Sequence, residues 1–323
     1  MTTLDDQLDA YLNDAHAIEE QALPQMRAAP GMAGDPQLAT IFREHLAETE
    51  HQEKLVRERL EARGGSPSRL KEAIFKAGGF AFVLFAKSQP DTTGKLVSHA
   101  LSYEHLELAS YELLMRVAGR AGDEETVRVA REIREQERAM AERLEASFDR
   151  AVDASLREID PDDLDKQLSK YLADAHAIEA QAMQLLQRGT KIAGDPELAR
   201  LYAEHLDETR EQQRLVEERL HARDASPSRL KDAAMRLGAL NWGAFFQAQP
   251  DTPGKLAAFA YAFEHLEIGG YEQLLRVARR AGDAETERTV ARILDEERAM
   301  AARLAANWDR ALDATLAAQE VTA

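Results

Sequence analysis

Four glutamates in the first half of the chain, Glu19, Glu48, Glu104 and Glu137, each interrupt an otherwise apolar line of residues spaced three and four apart. The first line is Leu8, Leu12, Ala15, Glu19, Ala22, Met26, and the second is Leu38, Ile41, His45, Glu48, Gln52, Leu55. The third is Val97, Leu101, Glu104, Leu108, Tyr111, Met115, with Glu107 one turn on. The fourth is Ile133, Glu137, Met140, Leu144, Phe148. A carboxylate on the inward face of a helix costs several kcal/mol unless it is partnered. Four together call for protons, basic partners or metal ions. Two divalent ions would neutralise four carboxylates, and glutamate can bridge both, so the chemistry this spacing points to is a dinuclear metal centre. His45, on the second line, is placed either to ligate or to hydrogen-bond the carboxylates.

The heights agree with this reading. Glu19 stands 13 residues before Met32, in the first turn, and Glu48 stands 16 after it. Around Gly122, Glu104 stands 18 before and Glu137 15 after. Each pair is offset by three residues, roughly 4–5 Å of helix rise, so the four can meet at one level.

The whole arrangement then recurs. YLNDAHAIEEQA at Tyr11 returns as YLADAHAIEAQA at Tyr171, SPSRLK at Ser66 returns at Ser226, and YEHLELASYELL at Tyr103 returns as FEHLEIGGYEQL at Phe263. The offset is 160 throughout, so Glu179, Glu208, Glu264, Glu267 and Glu297, with His205, form a second candidate set. We expect two domains, 1–157 and 158–323, with the seam near Glu158–Pro161.

The elements that must position these residues are helices. Asp35-Pro36 and Asp195-Pro196 read as an N-cap followed by proline in the first helical position, and Asp123 and the Asp91-Thr-Thr stretch are further starts. The predicted helices of the first copy cover about 3–28, 36–62, 93–120 and 124–155. Short first and third links make antiparallel pairs. About thirty residues separate the second and third helices, with an amphipathic stretch from Leu70 to Lys87, and one long crossover of this kind is the ferritin-like topology. The fold class expected is all-α: two tandem ferritin-like four-helix bundles, each with a long helical crossover.

Composition narrows the partners. Lys and Arg number 41 against 58 Asp and Glu, a net charge of −17, which opposes nucleic acid and anionic membranes and favours cations. Cysteine is absent, so thiolate zinc, iron–sulfur and disulfide chemistry are excluded, and oxygen and imidazole donors suit iron or manganese. The longest apolar run, Gly78 to Ala86, is too short to span a bilayer, and no signal peptide is visible, so the expected location is cytoplasmic. Triads, phosphate loops and nucleotide fingerprints are missing.

EHLAET at Glu44, YEHLELASYE at Tyr103, AIEEQ at Ala17 and EQERAM at Glu135 together resemble the YciF-type ferritin-like proteins, the DUF892 group, and the likeness covers nearly the whole chain twice. That resemblance implies a four-helix bundle with one crossover and an association with bacterial stress responses. The wider relatives, rubrerythrin and ferritin, hold two irons with Glu, Glu-x-x-His, Glu and Glu-x-x-His on successive helices. By that pattern Glu19, Glu48, Glu104 and Glu137 would be ligands, and Glu104-x-x-Glu107 is similar to the double-glutamate helix of rubrerythrin. The histidines depart: Glu48-x-x-His51 becomes Glu208-x-x-Glu211 in the second copy, and the fourth helices offer Met140 and Met300 instead. His45 and His205 stand as substitutes. The activities implied are oxidation of Fe(II) or consumption of peroxide. The competing expectation is a non-catalytic scaffold, in which the two copies form an intramolecular pseudo-dimer and apolar segments such as Phe80–Phe85 and Trp242–Phe246 pack the halves or a partner. Further homo-oligomerisation is left open.

Overall fold

The computed structural model describes residues 2–66, 92–227 and 252–321. The expected crossover stretch, the two apolar segments within it and Asp91 fall outside the described residues. Among the described residues the chain is all-α, in two tandem helical bundles with no strand. Its helices are α1 (Leu4–Met32), α2 (Pro36–Ala62), α3 (Thr92–Ala121), α4 (Glu124–Glu145) and α5 (Phe148–Leu156), then α6 (Leu164–Ile192), α7 (Pro196–His221), α8 (Thr252–Arg280), α9 (Ala284–Ala305) and α10 (Trp308–Ala318). They fall into two compact units, the first running to Arg157 and the second from Glu158 to Gln319.

Local chemistry sets the helix starts. Thr3 and Asp6 form a reciprocal capping box before α1, and the Asp35 carboxylate accepts from the Gln37 and Leu38 amides while Pro36 opens α2. Asp123 accepts from the Thr126 amide at 2.9 Å to cap α4. Between α1 and α2 the chain turns at Gly34, whose φ of +63° is left-handed, and a Cβ there would collide with the Thr93 hydroxyl.

Side-chain ladders fix the directions within the first unit. Arg59 reaches Thr126, Gln52 reaches Gln136 and Arg143 reaches Glu48, so α2 and α4 run antiparallel. Gly34 beside Thr93 and Tyr111 beside Glu19 make α1 and α3 antiparallel as well. It follows that α2 ends at one end of the bundle and α3 begins at the other. At the α2 end, Arg63 gathers Asp5, Asp9 and Asp123.

Two expectations are revised. The fourth helix, expected to run unbroken over 124–155, divides at Ser147. The Ser147 hydroxyl donates to the Arg143 carbonyl at 2.6 Å and its amide turns to the Leu144 carbonyl at 2.9 Å. Such back-bonding competes with the regular ladder, and the chain restarts at Phe148, whose ring is fully buried. Asn307, bonding to the Arg303 carbonyl, makes the same break before Trp308. The first helix also runs past its expected end at residue 28, to Met32. It does so with Pro24 and Pro30 inside it, and α6, which carries Gln184 and Thr190 there, has the same span. Packing of the buried face, here Leu23, Met26 and Ala29, holds the helix where propensity alone would end it.

Candidate metal centre

The inward line of α3 carries Glu104 and Glu107, each within reach of the interior because they are three residues apart on one face. Facing them are Glu19 from α1, His45 from α2 and Glu137 from α4. Glu19, Glu104 and Glu137 have no exposed surface, and His45 and Glu107 have almost none. His45 Nε2 lies 3.2 Å from Glu104 Oε2 and 3.6 Å from Glu137 Oε2. His45, Glu104, Glu107 and Glu137 each offer a donor atom within 4.8 Å of the others. Glu19 stands beside this group, held by the Tyr111 hydroxyl, which donates a hydrogen bond to its Oε1.

The second unit repeats the arrangement with Glu179, His205, Glu264, Glu267 and Glu297. His205 Nε2 is 3.1 Å from Glu264 Oε2 and 3.6 Å from Glu297 Oε2, and Tyr271 donates to Glu179. His205, Glu264, Glu267 and Glu297 again fall within 4.8 Å of one another.

Burial dominates the electrostatics. It pushes the Glu19 carboxyl up to about 8 against the opposing hydrogen bond from Tyr111, and it raises Glu107 and Glu137 well above the usual carboxylate range, aided by the neighbouring carboxylates and, at Glu137, opposed by His45. Glu179 is likewise raised to about 8. Burial opposes the charged form of His45, but Glu104 and Glu137 outweigh it and hold the imidazolium well above its ordinary value.

The donor set fits a hard or borderline cation. Six buried carboxylate oxygens in the first unit have no hydrogen-bond partner: Glu19 Oε2, both oxygens of Glu104 and of Glu137, and Glu107 Oε1. Six in the second unit are equally unpartnered, on Glu179, Glu264, Glu267 and Glu297, and so is His205 Nε2. Its 3.1 Å approach to Glu264 therefore lacks the alignment of a hydrogen bond. Buried polar atoms are rarely left in this state.

Glu48 and Glu208 take a different place from the one their spacing suggests. The inward face of α2 is Leu38, Phe42, His45, Thr49, Gln52 and Val56, with Ile41 and Leu55 only partly buried. Glu48 therefore sits at the rim, its side chain 34% exposed, and its Oε2 meets His45 Nδ1 at 2.9 Å and Arg143 Nη2 at 2.8 Å. The His45 hydrogen bond, against partial burial and with help from Arg143, keeps the Glu48 carboxyl below its ordinary range. In the second unit His205 Nδ1 meets Glu208 Oε2 at 3.0 Å, while Arg303 turns chiefly to Glu204 at 2.5 Å and stands 3.8 Å from Glu208. His51, one turn beyond Glu48, is exposed to solvent. Met140 and Met300 are core residues.

The role of Tyr111 is not marked by its spacing, since a tyrosine on an apolar line reads as core. Its position seven residues after Glu104, on the same face, is the one available signal. His16, one turn before Glu19 on α1, lies 2.9 Å from Glu53, with Glu20 close by. The second unit has His176 with Ala180 and Gln213 at the matching positions. His105 and His265 turn Nδ1 to the Leu101 and Tyr261 carbonyls at 2.8 Å.

Two all-α bundles, each with a buried cluster of glutamates and one histidine, define a class of duplicated helical-bundle proteins with candidate metal-binding interiors. Within that class, a family model described as a domain of unknown function (DUF892) matches residues 3–157 and again 163–317, and the chain belongs to that family as a tandem duplication of the YciF-type domain. No solved structure matches the chain. Among the described residues no helix is long and apolar enough to cross a membrane.

Proposed function

We propose that each unit is a ferritin-like carboxylate centre for iron or manganese, held in the first by His45, Glu104, Glu107 and Glu137 with Glu19 alongside, and in the second by His205, Glu264, Glu267, Glu297 and Glu179. The single observation that carries the reading is the set of six unpartnered carboxylate oxygens buried around one imidazole, present in both units. A pair of bound ions would supply redox and Lewis-acid chemistry, which makes oxidation of Fe(II) or consumption of peroxide the proposed activity. The protein's own share is physical. Four helices hold the donors at one level, Tyr111 and Tyr271 fix one oxygen of Glu19 and Glu179 and leave the other inward, and the apolar shell excludes water. Loading requires Glu19, Glu107 and Glu137 to give up protons that burial holds on them, and His45 to give up the proton on Nε2, so uptake strengthens as pH rises.

A scaffold reading has one observation in its favour. His45, placed between Glu104 and Glu137, neutralises part of their charge without an ion. The two separate on Fe(II) turnover. Aerobic Fe(II) oxidation by the intact chain should fall at least tenfold in the Glu137→Gln/Glu297→Gln variant, whose amides match the carboxylates in shape but not in charge. Equal rates in the two chains would refute the catalytic reading.

A further inference from the structure

Each central histidine is gripped from outside. His45 presents Nδ1 to Glu48 at 2.9 Å and Nε2 to the buried carboxylates, and His205 does the same with Glu208 at 3.0 Å. An ionised carboxylate only accepts, so the nitrogen facing Glu48 or Glu208 must carry the proton. In the second unit the other nitrogen, His205 Nε2, is buried without a hydrogen-bond partner, 3.1 Å from an equally unpartnered Glu264 Oε2. The rim placement of Glu48 and Glu208 is plain from their exposure, 34% and 42% of the side chain, beside histidines that are fully buried.

From this geometry we infer that Glu48 and Glu208 are positioning residues outside the donor set: each fixes its histidine with Nδ1–H turned outward and the Nε2 lone pair turned to the ion. The inference rests on the metal reading above and assigns these two glutamates a different task within it. A carboxylate behind a metal-bound imidazole orients the ring and raises its basicity, and loss of such a partner weakens metal binding by about 10–100-fold. The first unit adds a second restraint, since Arg143 donates to the same Glu48 oxygen, whereas Arg303 is drawn to Glu204. The role given to the glutamates does not depend on that arginine, because both histidines show the same orientation.

The test uses the full chain and Co(II) as the probe, followed by its visible absorption in competition with a chelator. Glu48→Ala/Glu208→Ala should bind as many Co(II) ions as the wild type, with affinity lowered about 10–100-fold. Glu48→Gln/Glu208→Gln should recover part of that loss, because the amide oxygen still accepts from Nδ1–H. Unchanged affinity in the alanine chain would overturn the inference, as would fewer ions bound by a folded alanine chain, which would make the glutamates donors. Should the alanine chain fail to fold, the glutamine chain decides by the same two criteria. A wild type that takes up no Co(II) would instead defeat the metal reading itself.

Discussion

The imidazole at position 45 and the carboxyl of Glu19 beside it make the same demand on pH, since both hold protons more tightly in the folded chain. Glu19 has its carboxyl raised by burial to about 8 from an ordinary 4.5, so in the metal-free chain its folded form binds a proton that the unfolded form has already lost above pH 4.5. Stability from this group therefore declines as pH rises from about 4.5 to about 8 and then levels off. His45 is raised as well, so its contribution is full below 6.5 and is lost as pH climbs through the higher folded value, in the same direction. The metal-free chain should accordingly melt at lower temperature at pH 8 than at pH 5.5, and the loaded chain should not show this fall. Thermal melts of both forms across that window check it, and a metal-free melting temperature that rises from pH 5.5 to 8 would contradict it. At this scale much of the buried cluster was legible. Glu19, Glu104, Glu107, Glu137 and His45 stand on apolar lines, and the structure brings those five together in the interior. The place of Glu48 was not legible. Three-and-four spacing admits two paths along α2, through Ile41, Glu48 and Leu55 or through Phe42, Thr49 and Val56. The second is the buried one because Thr49 hides its hydroxyl by donating to the His45 carbonyl.

Helix ends are where the bundle is tied. Asp123 caps α4 and also receives Arg59 and Arg63 from α2, which keeps its carboxyl down at about 2 despite partial burial. A depressed carboxylate adds stability above its unfolded value of 3.8, and that stability is lost as pH falls through about 2. Asp123→Ala should cost about 1–2 kcal/mol from the lost cap alone, with a further loss from stranding two arginines. Urea denaturation at pH 7 measures the cost, and an unchanged midpoint would show that water replaces the cap. The capped starts at Asp35, Asp123 and Asp195 follow from sequence because a cap is local chemistry. The break at Ser147 does not, since serine is tolerated within helices and only its bond to the Arg143 carbonyl reveals the kink. Nor does the persistence of α1 through Pro24 and Pro30, which depends on long-range packing.

Duplication is the most legible feature of the whole molecule. The offset of 160 seen in sequence reappears in helix starts, Leu4 with Leu164, Pro36 with Pro196 and Phe148 with Trp308. The copies have nonetheless diverged around the shared interior: Tyr103, which donates to the Ile18 carbonyl, is Phe263 in the second unit, and Gln136 is Glu296 beside the matching glutamine. The candidate donors are unchanged, so the proposed reading has both units bind. The most direct test is metal content by mass spectrometry after loading the intact chain with Fe(II) or Mn(II) and desalting. Two dinuclear centres predict about four ions per chain. A chain that retains none, and melts at the same temperature before and after loading, would contradict the account.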